Sequence, residues 1–145
     1  MRVRDAVEAD ADAMATLADR PVEVMRNLVH DRTVRVAVDG SEESVPQEGT
    51  PTETESEFSG IRGIVSFDAR QKTVHITQLA GDGEAVERLL EEPIRFARRE
   101  GMDVEAIVAA ADEQGKAAVE TKGFSRAGDG PRFDGKPTVR YRLEQ

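Results

Sequence analysis

The stretch from Thr73 to Gly101 constrains the fold more than any other part of this sequence. Thr73-Val-His-Ile-Thr-Gln-Leu-Ala80 reads as a strand, Gly81-Asp-Gly83 as a hinge, and Glu84 to Glu100 as a helix in immediate succession. In the last segment Val86, Leu89, Leu90, Ile94 and Ala97 form one apolar stripe, with Glu87, Arg88, Glu91, Arg95 and Arg98 on the remaining circumference. The helix therefore lies on a core and points its start at the end of the strand. That start leaves backbone N–H groups without helical partners and carries partial positive charge, which suits a phosphate or carboxylate. Pro93 removes one helical hydrogen bond and crowds the carbonyl of Leu89, so a kink is expected there.

The rest of the chain supplies strands and helices around this unit. Val3 begins a short strand, and Asp10 or Asp12 can cap a helix carrying Ala13, Met14, Leu17 and Ala18. Pro21 opens a second helix with Val22, Met25, Leu28 and Val29 on its apolar side, ending near Asp31. Thr33 to Asp39 alternates as a strand through Val34, Val36 and Val38. Residues 40–60 lose all periodicity, hold six glutamates and no basic residue, and read as a mobile acidic loop; a solvated hairpin extension fits better than a substrate lid. Ile61 to Asp68 resumes as a strand, and Ala69 to Lys72 is a polar turn into the organising strand, so these two strands should be antiparallel. Gly101 stops the long helix, Val104 to Ala110 is a buried strand, and Asp112 opens a helix ending at Gly123-Phe124. Residues 125–137 read as turn material before a last strand, Thr138 to Leu143. The expected order is β-α-α-β-β-β-α-β-α-β in one domain spanning 1–145.

Composition excludes several functions. The absence of cysteine removes disulfides, thiolate metal sites and a cysteine nucleophile. No apolar run approaches a membrane span and no signal-peptide core follows Met1, which makes the cytoplasm the default location and a membrane role unexpected. The net charge is −9, and only four of the 20 basic residues are Lys (Lys72, Lys116, Lys122, Lys136). Such a surface repels nucleic acid phosphate. It resembles proteins of salt-accumulating (haloarchaeal) cytoplasm, where molar salt shortens the Debye length to roughly 3 Å.

Gln78-Leu-Ala-Gly81-Asp-Gly83, standing between a fourth strand and a helix, together with Gly123-Phe124 after the last helix and the opening Val3-Arg-Asp-Ala-Val-Glu-Ala-Asp, resembles the GNAT superfamily of acyl-CoA-dependent N-acetyltransferases. The resemblance covers nearly the whole chain. It implies an α/β (α+β) fold with a mixed, mostly antiparallel central sheet flanked by helices, in which the fourth and fifth strands splay and the pantetheine arm of acetyl-CoA pairs with the fourth. It also implies a cofactor-binding segment of Gln78, Leu79, Ala80, Gly81, Asp82, Gly83 and Glu84, with Asp112 at a position where the family often has Asn. The family's usual tyrosine acid corresponds to Val119 here. His75 is the candidate base, having an intrinsic pKa range suited to taking a proton from an ammonium. Asp82 and Glu84 also fit plain helix capping and dipole pairing. Tyr141 reads as a core residue, and His30 as a charge at a helix C-terminus. No metal-ligand spacing is present.

The resulting expectation is transfer of an acetyl group from acetyl-CoA to a primary amine of a small molecule or peptide, with an acidic cleft favouring a cationic acceptor; a homodimer stays open. Val119, the tight hinge and Pro93 favour the alternative, a module that keeps the fold and binds a CoA ester or a protein partner without turnover. A ferredoxin-like regulatory domain is nested in the same element order, but the helix and strand beyond Gly101 argue against it.

Overall fold

The computed structural model describes residues 1–38, 60–132 and 135–144, so the acidic loop expected at 40–60 lies outside the described residues except for Gly60. Seven strands form one sheet: β1 (Arg2–Asp5), β2 (Thr33–Val38), β3 (Ile61–Arg70), β4 (Thr73–Gly81), β5 (Asp103–Ala109), β6 (Ser125–Asp129) and β7 (Thr138–Leu143), in the spatial order β1-β2-β3-β4-β5-β7-β6. Only β4 and β5 run parallel; every other neighbouring pair is antiparallel. Among the described residues four α-helices flank it: α1 (Ala11–Ala18), α2 (Val22–Asp31), α3 (Gly83–Glu100) and α4 (Glu113–Thr121). The expected mixed, mostly antiparallel sheet flanked by helices is the architecture observed.

The apolar periodicity of the sequence becomes two cores, one on each face of the sheet. Val86, Leu89, Leu90, Ile94 and Ala97 of α3 bury against Val65 and Phe67 of β3, Val74 and Ile76 of β4, and Val104 and Ala106 of β5. Ala118 and Val119 of α4, with Phe124, Val139 and Tyr141, extend this layer toward β7. On the opposite face Met14 of α1 and Met25 of α2 pack against Val34, Val36, Val38 and Ile64. Burying a side chain such as Leu89 or Leu90 stabilises by about 1.5–3 kcal/mol, so these two layers and the sheet they sandwich carry most of the fold. α3 continues through Pro93, whose ring is buried, and stops at Gly101, where φ is +71° and the N–H caps the carbonyls of Ala97 and Arg98.

Four sequence expectations are corrected. Residues 125–137 are not turn throughout, because β6 pairs with β7 there; its side chains are almost all exposed, so no apolar alternation marks it. The β3–β4 turn is shorter than Ala69 to Lys72: Arg70 already pairs with Thr73, leaving Gln71 and Lys72 as a two-residue loop with positive φ at both. Pro21 is the N-cap of α2 and not its first helical residue. Asp10 does not cap α1 through its side chain; it is fully buried, accepts from the Val7 N–H at 2.8 Å, and takes two hydrogen bonds from the Arg4 guanidinium at 2.9 and 3.0 Å. The Asp10 side chain thus fastens the entry of α1 to β1.

Candidate active site

The site is built where β4 leaves β5. The two strands pair from Thr73↔Asp103 to Ile76↔Ala106 and no further, although β4 continues to Gly81 and β5 to Ala109. One residue past the last pair, β4 carries an extra residue: Phe67 pairs with Ile76 but Ser66 pairs with Gln78, so Thr77 bulges. A bulge increases local twist and bends its strand, which is the physical reason β4 swings away from β5 at this point. The Thr77 and Ser66 hydroxyls hydrogen-bond at 2.5 Å and fix the bulge to β3. Beyond Ile76, β4 pairs only with β3, so the β5-facing backbone edge of residues 77–81 lines the split.

At the far end of that edge stands the start of α3. Gln78, Leu79, Ala80 and Gly81 are the last residues of β4, Asp82 is the N-cap, and Gly83 and Glu84 begin the helix. The hinge is tighter than a separate loop because β3 and β4 touch here: a Cβ on Gly81 (φ +135°) would stand 2.4 Å from the Arg62 carbonyl oxygen. Only glycine fits. The Asp82 N–H donates to that same carbonyl at 3.2 Å, and the Asp82 carboxylate accepts from the Ala85 N–H at 2.9 Å. Gly83 N–H makes no hydrogen bond among the described residues.

Arg62 crosses this first turn. Its guanidinium donates to both oxygens of Asp82, at 2.9 and 3.2 Å, and to Glu84 at 3.1 Å. The Arg62 guanidinium first, and then the Ala85 N–H, hold the Asp82 carboxyl below the ordinary carboxylate range. Sequence reasoning missed Arg62, which precedes the hinge by a full hairpin. Two carboxylates and one guanidinium thus surround the turn, and Gln114 of α4 closes one side, within 3.6 Å of where a Cβ on Gly83 would stand.

The remaining predicted residues fall in four places. His75 sits one residue before the last β4–β5 pair, with Nδ1 3.6 Å from Glu105 Oε1 on β5; its cross-strand partner Asp68 shares that face. Asp112 is the N-cap of α4, accepting from the Gly115 N–H at 2.9 Å. Tyr141 lies on the other face, buried, donating its hydroxyl to Glu120 at 2.8 Å; burial first and then that carboxylate push the phenol above its ordinary value. Val119 is fully buried in the core. His30 is exposed in the last turn of α2, 3.2 Å from Glu8. Among the described residues no three His, Asp or Glu side chains converge as a metal site, and no helix is long and apolar enough to cross a membrane.

A split central sheet with a helix start at its mouth invites comparison with known folds. No family model matches the chain, and no curated protein matches it. Solved structures do. A ribosomal-protein-alanine N-acetyltransferase from Brucella melitensis superposes with a TM-score of 0.69 at 17% identity, each chain covered over 100%. The IAA acetyltransferase from Bacillus cereus gives 0.68 at 14% identity, with 99% of each chain covered. An acetyltransferase from Bacillus subtilis in complex with CoA gives 0.66 at 13% identity, covering 99% of this chain and 98% of the other. At such identities the likeness is one of fold, and the fold is that of the GNAT acetyltransferases.

Proposed function

We propose that this protein transfers an acetyl group from acetyl-CoA to a primary amine. The observation that carries this reading is the parting of β4 from β5 immediately after Ile76↔Ala106, with the first turn of α3 at the mouth of the split. The free edge of β4 offers backbone N–H and C=O groups to the amides of a pantetheine arm, as an added strand would be paired. The same N–H groups can polarise a thioester carbonyl. Gly83 N–H and the Arg62 guanidinium favour a diphosphate at the helix start, while Asp82 and Glu84 oppose it; Arg62, shared between the two acids, offsets one of their charges.

In this reading the amine attacks the thioester carbonyl, the C–S bond breaks, and the thiolate leaves with a proton. His75 is the candidate base for the ammonium proton, with Glu105 beside its Nδ1 to orient the ring. Tyr141 is no acid for the thiolate, since its hydroxyl is committed to Glu120 on the other face. A water or another group can supply the thiolate's proton instead. The net charge of −9 and the scarcity of lysine support a salt-rich cytoplasm as the working environment and no nucleic acid partner.

A second reading, binding of a CoA ester without turnover, is favoured by Val119, which packs fully buried where the resemblance calls for a tyrosine. Thermal unfolding in 2 M KCl with and without acetyl-CoA, followed by release of free CoA thiol on a panel of amines, separates the two. Ligand at 100 times its dissociation constant adds about 2.7 kcal/mol of stability, a clear rise in Tm. A rise with thiol release is expected; a rise alone leaves the binding module, and no rise removes acetyl-CoA from both.

A further inference from the structure

We infer that the acceptor amine also carries a carboxylate, and that Arg140 is the residue that recognises it. This rests on the acetyl-transfer reading above, because it concerns the face from which an acceptor reaches the split. One face of β4, β5 and β7 is closed: Val74, Ile76, Val104, Ala106, Val108, Val139 and Tyr141 are buried under α3 and α4. On the other face α1 and α2 pack over β2, β3 and β4. Among the described residues no helix covers β5 or β7 there, so that is the side open to an acceptor.

The register gives the side chains on the open face at the level of the split. His75 pairs with Glu105, Glu105 with Arg142, and Ile107 with Arg140. Ile107 is the first β5 residue beyond the last β4–β5 pair, and cross-strand partners lie about 5 Å apart. Arg140 is therefore one strand removed from the opening. The two arginines differ in how firmly they are held. Arg142 donates to Asp103 at 2.9 Å and to Glu105 at 3.4 Å. Arg140 has its Nε 4.0 Å from Glu105 and a 3.4 Å hydrogen bond from Nη2 to the Ala127 carbonyl, both at the outer limit for such contacts, and its side chain is 44% exposed.

Gly128, the cross-strand partner of Arg140 on β6, leaves the guanidinium room: a Cβ there would stand 3.4 Å from Nη2. A planar guanidinium so loosely engaged gains by taking a carboxylate through two short charge-assisted bonds in place of two long ones. Ile107 lies between Arg140 and the split, and Glu105 and His75, on the same face just before the strands part, take the ammonium end. A zwitterion, either an α-amino acid or a short peptide with both ends close, matches this spacing of charges. In a chain of net charge −9, such an acceptor needs a local cation.

The test compares amino acids with their decarboxylated counterparts as acceptors at saturating acetyl-CoA: alanine with ethylamine, phenylalanine with phenethylamine, lysine with cadaverine. The carboxylate-bearing member of at least one pair should have a KM about tenfold lower or better. Arg140→Gln should raise that KM by about tenfold with kcat little changed and leave the plain amine unaffected, and Arg140→Lys should recover part of the loss. Preference for the plain amines, or an equal loss on both, overturns the inference and leaves acetyl transfer standing. If acetyl-CoA binds but no amine is acetylated, the transfer reading fails. Binding of N-acetyl-L-phenylalanine against N-acetylphenethylamine, followed by NMR, then decides: weakening by Arg140→Gln upholds Arg140 as the carboxylate reader, and no binding or no weakening ends it.

Discussion

Asp82 shows how one residue can satisfy local helix physics and still shape a binding site. Its carboxylate caps Ala85 N–H and holds Arg62, which also reaches Glu84, so the helix start has its own internal counter-ions. Capping and dipole pairing were legible from Asp82 and Glu84 standing at a helix start, but Arg62 was not, because its proximity depends on β3 pairing with β4 through Gly63↔Gly81. Because its folded pKa is lowered, chiefly by Arg62, the Asp82 carboxylate contributes stability that is complete above the ordinary carboxylate value, about 3.9, and is lost as pH falls through the lowered folded value. In Arg62→Gln the largest cause of that shift is gone. NMR titration of the Asp82 side chain should show it protonating at higher pH in the variant than in the wild type; identical titrations would mean that Arg62 is not its counter-ion in solution.

At the level of elements, strands announce themselves by alternation only when one face is buried. β2, with Val34, Val36 and Val38 inward, was readable, and exposed β6 was not. The β3–β4 hairpin gives a cleaner case, since Gln71 and Lys72 both hold positive φ, which costs about 1–2 kcal/mol for a residue with a Cβ. Asn-Gly is the pair that such a two-residue turn prefers. Replacing both, as Gln71→Asn with Lys72→Gly, should stabilise the protein by about 1 kcal/mol after the extra unfolded-state entropy of glycine is subtracted. Urea unfolding of the double variant measures it, and a loss of stability would show that the turn is not of this type.

For the whole molecule, charge decides the conditions under which it stands. Several ion pairs among the described residues are exposed on both sides, such as Arg126–Asp129 and Arg88–Glu91, and pairs of that kind contribute about 0–1 kcal/mol each and weaken in salt. Against them stands the mutual repulsion of a net charge of −9, which salt also screens, as the Debye length falls from about 8 Å at 0.15 M to about 3 Å at 1 M. Repulsion should win, so Tm should rise steadily from 0.1 to 2 M KCl. A flat or falling Tm over that range would remove the argument for adaptation to a salt-rich cytoplasm.

The sequence by itself determined the organising strand–hinge–helix unit and the helical stripes, because each is written in spacing that repeats within a few residues; the mixed sheet was expected only from the family resemblance. It also determined that Tyr141 would be core, since it falls on the alternating apolar face of the last strand; that Val119 is buried came from the structure. Only the tertiary structure decided that β4 parts from β5 after Ile76, that Arg62 lies across the start of α3, and that Glu105 and Arg140 share a face with His75. Each of these depends on which strands become neighbours and on one bulged residue, Thr77, that shifts the pairing. Strand neighbours are set by the packing of distant segments, and no local pattern along the chain encodes them.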